Sequence, residues 1–250
     1  MNEDIEFKSD EKFTWSNTFV VFNREFANYF NTPIGYIFLG IFVSLMNFLF
    51  FFIARFWDTG RSIQGFFDLL KVCYIFFIPA ITMRLWSEEK KSGTIEILFT
   101  LPLGYSAVII GKFLSAMAFL AIALGITMPI ALTVIFTASP DPVMIFGGYM
   151  GALLMGSCYI SMGLFISWQF NDQIIAFLVT LFCCFFLYML GYQPVLQFFG
   201  PLKSLAAYLS VSWHFDSLYK GLLDSRDIIY FILFSSLFLY LNRRAIDSQR

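Results

Sequence analysis

The residues able to do chemistry are few in this chain, and their spacing does not suit it. The stretch GYSAVIIGKF, Gly104 to Phe113, comes nearest to a phosphate-binding loop. Such a loop needs four residues between its glycines, then a Ser or Thr after the lysine to hold magnesium. Here six residues separate Gly104 from Gly111, and Phe113 follows Lys112. The stretch also leads into a long apolar run, so it is not a nucleotide site. The one histidine, His214, makes by itself neither a metal site nor a catalytic dyad, and a packing or hydrogen-bonding role is expected for it. Cys73, Cys158, Cys183 and Cys184 show no CxxC or metal spacing and read as small buried hydrophobes. Asp68, Lys71 and Arg84 lie near the ends of apolar runs, where they read as interfacial anchors. Asp68 and Lys71, three residues apart, are placed to pair. The middles of the runs lack the acid and histidine chains of a proton-coupled carrier. If this protein transports, a partner drives it.

These residues stand in an unusually apolar chain. Of 250 residues, 59% are hydrophobic and 13% charged, and mean hydropathy is +0.74. Soluble domains carry about 25% charge. Half of that, with apolar runs longer than about 18 residues, means a polytopic membrane protein. The net charge of -1 points to no nucleic-acid partner. The opening MNEDIEFKSDEKF reads as a short disordered acidic leader, 1–16, and not as a secretory signal.

Six spans are expected, at about Ile34–Ala54, Phe66–Leu85, Ala107–Phe136, Val143–Trp168, Gln173–Tyr192 and Ile228–Leu241. Pro33 suits a helix start, Pro79 should bend the second span, and the long third span has Pro129 within it. The last span is short, about 14 residues against the usual 20. Gly148, Ala152, Gly156 and Gly163 form a stripe of small residues on the fourth, fit for close helix packing within the chain or for a dimer seam. Before the first span, 17–32 reads as an interfacial amphipathic helix. It has Phe19, Phe22, Phe26, Tyr29 and Phe30 on one face and Asn23, Arg24 and Asn28 largely opposite. The 193–227 segment, broken at Gly200-Pro201, reads as one or two helices re-entering the membrane. With both termini inside, ten Lys and Arg fall on the cytoplasmic side and six outside, the bias expected of that orientation.

The densest charge cluster falls on a connector, WSEEKKSGTIEILFTLP, residues 86–102. Glu88 to Lys91 form its neck. Gly93 gives a sharp turn, and Thr94 is placed to cap a following helix. Ile95, Leu98 and Phe99 then make a small apolar face with Glu96 on its rim, suited to docking into another protein.

EEKKSGTIEILFTLP, followed by GKFLSA, resembles the segment between the second and third spans of ABC-2 type transporter permeases. NTPIGYIF before it and WHFDSLYKGLLDSRDIIYF late in the chain resemble more narrowly the permeases of gliding-motility-type ABC transporters, the GldF group. The similarity runs from about Val21 to Arg244. It implies an all-α, six-span, type V exporter-like permease, spanning 33–244, with an amphipathic N-terminal helix and re-entrant helices before the last span. It implies residence in the bacterial inner membrane and a second copy of this permease or a related one. Two copies of a cytosolic ATPase would bind ATP and magnesium; this chain would hold no cofactor. In the coupling segment, 86–106, Glu88, Gly93, Thr94, Glu96, Leu101 and Pro102 match the motif, and Ile95, Leu98 and Phe99 join them as the docking face. Export by an ABC transporter is the function implied. The alternative is a membrane anchor or mechanical element of a larger envelope complex that includes further envelope proteins. An aromatic-rich interior, with 34 Phe in the chain, would suit a lipid or other amphiphile.

Overall fold

The computed structural model describes residues 15–54, 62–96, 104–138, 141–198, 200, 203–221 and 224–248. Among these residues all regular structure is helical.

Helix α1, Trp15–Asn31, comes first, and Pro33 opens α2, Pro33–Phe48, at its first turn. A π-helical turn, Leu49–Ile53, completes the first span. Helices α3, Gln64–Thr82, and α4, Arg84–Ser92, run as one 29-residue unit, so the second span continues unbroken into the charged connector. The third span is split. Helix α5, Tyr105–Ile126, gives way at Thr127 to α6, Met128–Ala138. Pro129 causes the break, since it has no N–H for the helical ladder and its ring crowds the preceding turn. The Thr127 hydroxyl fills the gap by donating to the Leu124 carbonyl at 2.6 Å.

Helix α7, Pro142–Gln169, is the fourth span, started by Asp141, whose carboxylate accepts the Val143 N–H. Helix α8, Gln173–Met189, is apolar but only 17 residues long, and Asp172 caps it in the same way. Three short helices follow: α9, Gln193–Phe198, α10, Lys203–Leu209, and α11, Val211–Tyr219. Helix α12, Ser225–Asp247, is the last span. It has 23 residues, not the 14 expected. Hydropathy misses its ends because they are polar, yet they are helical: Asp224 caps the start, and Arg243 reaches Asp247 one turn on. Among the described residues, five helical stretches are long and apolar enough to cross a membrane, and α8 is a shorter sixth.

Helix α7 stands at the centre, and its small residues set how closely the others approach. A methyl group added at Gly148 would lie 2.1 Å from the Phe67 ring of α3, and one at Gly163 would lie 2.2 Å from the Thr82 hydroxyl. Gly156 faces Leu120 of α5 equally closely, and Ala152 is fully buried. All four small residues of the stripe therefore pack inside this chain. Helix α1 lies along α5 with Thr18, Val21 and Glu25 turned inward. Its phenylalanines make a separate ladder, Phe19 to Phe22 to Phe26 to Phe30, with ring centroids 5.1–6.0 Å apart. Phe19 is 61% exposed, whereas Tyr29 and Phe30, further along the same face, pack on Phe119 of α5 with ring centroids 4.6 and 6.0 Å away.

Candidate coupling site

The charged connector is not a solvated run. Glu88 and Lys91 are exposed helical charges, Glu88 paired with Arg84 at 3.1 Å, but the other two are not. Glu89, one residue on, is buried. Lys90 reaches the main-chain oxygen of Trp168 at the end of α7 and lies over that indole, 4.0 Å from its centroid. The start of α4 is fixed to the same place. Ser167 accepts from the Trp86 and Ser87 N–H groups at 3.1 and 3.3 Å, two of the donors a new helical turn leaves open, and itself donates to the Met83 carbonyl. Trp86 meets Trp168 edge to face at 5.2 Å.

Glu89 turns toward Lys112 of α5, which is 1% exposed. An ammonium has three N–H donors, and three acceptors surround this one. They are Glu25 Oε1 at 3.1 Å, Glu89 Oε1 at 3.0 Å and the Leu85 carbonyl at 2.7 Å. The Trp86 ring lies 4.9 Å from the same nitrogen. Arg24 closes the group by donating to Glu89 at 3.0 Å. Two cations and two carboxylates thus join three elements: α1 through Arg24 and Glu25, α4 through Glu89, and α5 through Lys112. Gly111, beside the lysine, makes the approach of α1 possible, since a methyl group there would fall 2.8 Å from Val21. A cavity of about 340 Å³ opens on this cluster, lined also by Asn28, Tyr29, Thr32, Ser92 and Thr94. Burial, and then the charge of Glu25, hold the Tyr29 phenol above its ordinary range.

The connector's remaining residues begin where α4 ends. Gly93 closes α4 in the left-handed conformation, φ 71°, that favours glycine. The Thr94 hydroxyl turns backward, 3.4 Å from the Glu89 carbonyl and 2.9 Å from Ser92 Oγ, so it ties off the helix before it. Ile95 is half-buried against the core, and Glu96 is exposed. Leu98, Phe99, Leu101 and Pro102 lie outside the described residues.

A second charged group occupies the other end of the bundle. Lys71 on α3 pairs with Asp68 at 2.8 Å, as its spacing predicts, and also with Asp216 of α11 at 2.6 Å. Tyr219 donates to Asp68 at 3.1 Å. His214 is hydrogen-bonded, to Asp227 and to the Tyr208 carbonyl. No group of three or more metal-ligating side chains gathers among the described residues.

Glu25, Lys112 and Asp216 were not visible as site residues in the sequence. The available signals were local: a lysine one turn inside an apolar run beside a glycine, and a glutamate in line with Thr18 and Val21 on an otherwise aromatic helix.

The fold is that of a polytopic helical membrane protein whose loop charges are built into its core. Residues 19–219 match the ABC-2 family transporter protein family, and the chain belongs to that family. Comparison with curated proteins gave no match.

Proposed function

We propose that this chain is the permease subunit of an ABC exporter, and that the Lys112 cluster carries motion from a separate cytosolic ATPase into the spans. One observation carries the reading: the residue one turn before the Gly93 bend, Glu89, shares an ammonium with the first helix and the third span. A push on the connector therefore moves α1, α4 and α5 together, because separating them strips a buried charge of its partners. Two ATPase copies close on binding ATP and magnesium, a second permease copy or a related permease completes the pathway, and the connector docks on the ATPase through Leu98 and Phe99. Ile95 adds less to that face, being half committed to the permease core. The late motif favours the GldF group, and the cargo class that suits the aromatic interior is an amphiphile. This reading puts the protein in the bacterial inner membrane, with the Lys112 end and both termini in the cytoplasm.

Two experiments test it. Full burial of a leucine or phenylalanine contributes about 1.5–3 kcal/mol, and an exposed ion pair about 0–1 kcal/mol. Leu98→Ala with Phe99→Ala should thus release the ATPase on co-purification far more than Lys91→Ala. Lys91 is the fair comparison because Lys90 is engaged with Trp168. An ATPase kept by the double-alanine variant and lost by Lys91→Ala means that the connector rests on lipid headgroups instead. For orientation, a thiol reagent applied from outside should label Ser225→Cys and spare Ser92→Cys, in a chain without its native cysteines; the opposite pattern rules out coupling from this end.

A further inference from the structure

The hydrogen bonds of His214 join three helices, and a neutral ring facing an ionised Asp227 cannot make both of them. The side chain, on α11, is 3% exposed. Its Nδ1 lies 2.6 Å from Asp227 Oδ1 in the first turn of α12, and its Nε2 lies 3.0 Å from the main-chain oxygen of Tyr208 in α10. A carboxylate and a carbonyl only accept, whereas a neutral imidazole has one N–H to give and the imidazolium two. The Tyr230 ring stacks on the imidazole with centroids 4.0 Å apart, a position that favours a cation.

We propose that His214 is a proton-controlled latch that clamps α10 and α11 onto α12. With two ring protons it donates to both Asp227 and Tyr208. With one, the proton stays toward Asp227, the stronger acceptor, and the bare Nε2 lone pair faces the Tyr208 carbonyl. Attraction becomes repulsion at that contact, and α10 is released. The groups facing the ring are few. Helix α12 supplies Asp227 and Tyr230, with Asp224 and Arg226 on a cavity of about 660 Å³ that His214 and Asp227 themselves line. Helix α10 supplies Tyr208, its ring 5.5 Å away. Helix α7 meets α11 through Gly151 against Phe215 and Leu218, all without charge. Lys71, Asp68 and Asp216 belong to the opposite face, since Asp216 sits about 200° around α11 from His214. Imidazoles ordinarily change charge between about pH 5 and 8. The contacts of the doubly protonated ring are complete below the transition and lost as pH rises through it. The latch holds whatever the cargo. On the reading above, this end faces outside, so the pH it senses is external.

His214 is the only histidine in the chain, so nitrogen-15 labelling of histidine gives one imidazole to follow by NMR. The sample is the full chain in nanodiscs, purified without a polyhistidine tag, from about pH 5 to about pH 8. Amide exchange over 203–219 is read on the same samples and corrected for intrinsic rate. The expected result is two ring N–H groups at the acid end and only Nδ1–H at the other. Protection of 203–209 should fall on the order of tenfold, the worth of one hydrogen bond from a charged donor, at the same midpoint. His214→Gln, whose amide does not titrate in this range, should show one level of protection at every pH. A ring that keeps one protonation state throughout overturns the proposal. So does protection that ignores the ring's transition, or a glutamine variant that keeps the pH response. If that variant does not assemble, the two wild-type measurements decide alone.

Discussion

Lys112 and Lys71 are each buried between two carboxylates, at ends of the bundle about 20 Å apart by the fourteen helical residues from Lys71 to Leu85. The surroundings differ. Around Lys112 the carboxylates are nearly buried, with Glu25 and Glu89 side chains each 11% exposed, and Arg24, 49% exposed at the cavity, balances the second negative charge. Around Lys71 the acids are partly in water, Asp68 53% and Asp216 35% exposed, and no second cation joins them among the described residues. A nearly buried, balanced group behaves as a rivet, because separation strips Lys112, 1% exposed, of partners that water replaces poorly. An open group with a surplus acid behaves as a hinge pin, since water takes over whatever contact is lost. The bundle is therefore stiff where α1, α4 and α5 meet and yielding where the short helices meet the spans.

Lys112→Met puts the largest strain on this comparison. Losing one partner of a buried pair costs about 3–5 kcal/mol, so this variant should unfold at a clearly lower temperature in detergent. Adding Glu25→Gln, which restores charge balance, should recover a good part of the loss; no recovery would mean that packing, not charge, holds the site. Lys71→Met should cost less, about 1–2 kcal/mol after allowing for the water already at Asp68 and Asp216, and hydrogen exchange should rise in 211–219 without rising in α5. Equal losses for the two lysine variants would erase the distinction between the ends. Smallest is Arg84→Ala, which breaks an exposed pair one helical turn long and should cost about 0.3–0.5 kcal/mol. A loss above about 1 kcal/mol there would draw the exposed rim into the rivet.

The spans were legible because burial in lipid demands long apolar helices, but proline was only partly legible, since Pro79 sits inside the continuous α3. Pro33 opens α2 and Pro129 divides the third span, as chain chemistry requires. The small-residue stripe was legible too, though only contacts could say whether it faced Phe67 and Thr82 or another copy. The rivet was not legible. Lys112 and Glu25 are 87 residues apart, and nothing local says that α1 folds along α5. Counted for orientation, Lys112 is one more positive charge near a membrane surface; its burial is a property of the assembled bundle. The aromatic face of α1 was legible as a face, but not how it divides: Phe19 turns outward while Tyr29 and Phe30 reach Phe119.

The packing around α7 also has an order in time. Phe67, Thr82 and Leu120, which receive its glycines, are synthesised before it, whereas Phe215 and Leu218, which cover Gly151, come after. So do Ser235, which meets Ser157 at 2.9 Å, and the Phe231 carbonyl, which meets Cys158. At about 5–20 residues per second, the gap between the end of α7 and Ser235 lasts roughly 3–13 s. For that interval the central helix is a post with one side fitted and the other open, its serine and cysteine waiting for partners not yet made. Helix α12, made well after α7, is thus the one that closes this side of it.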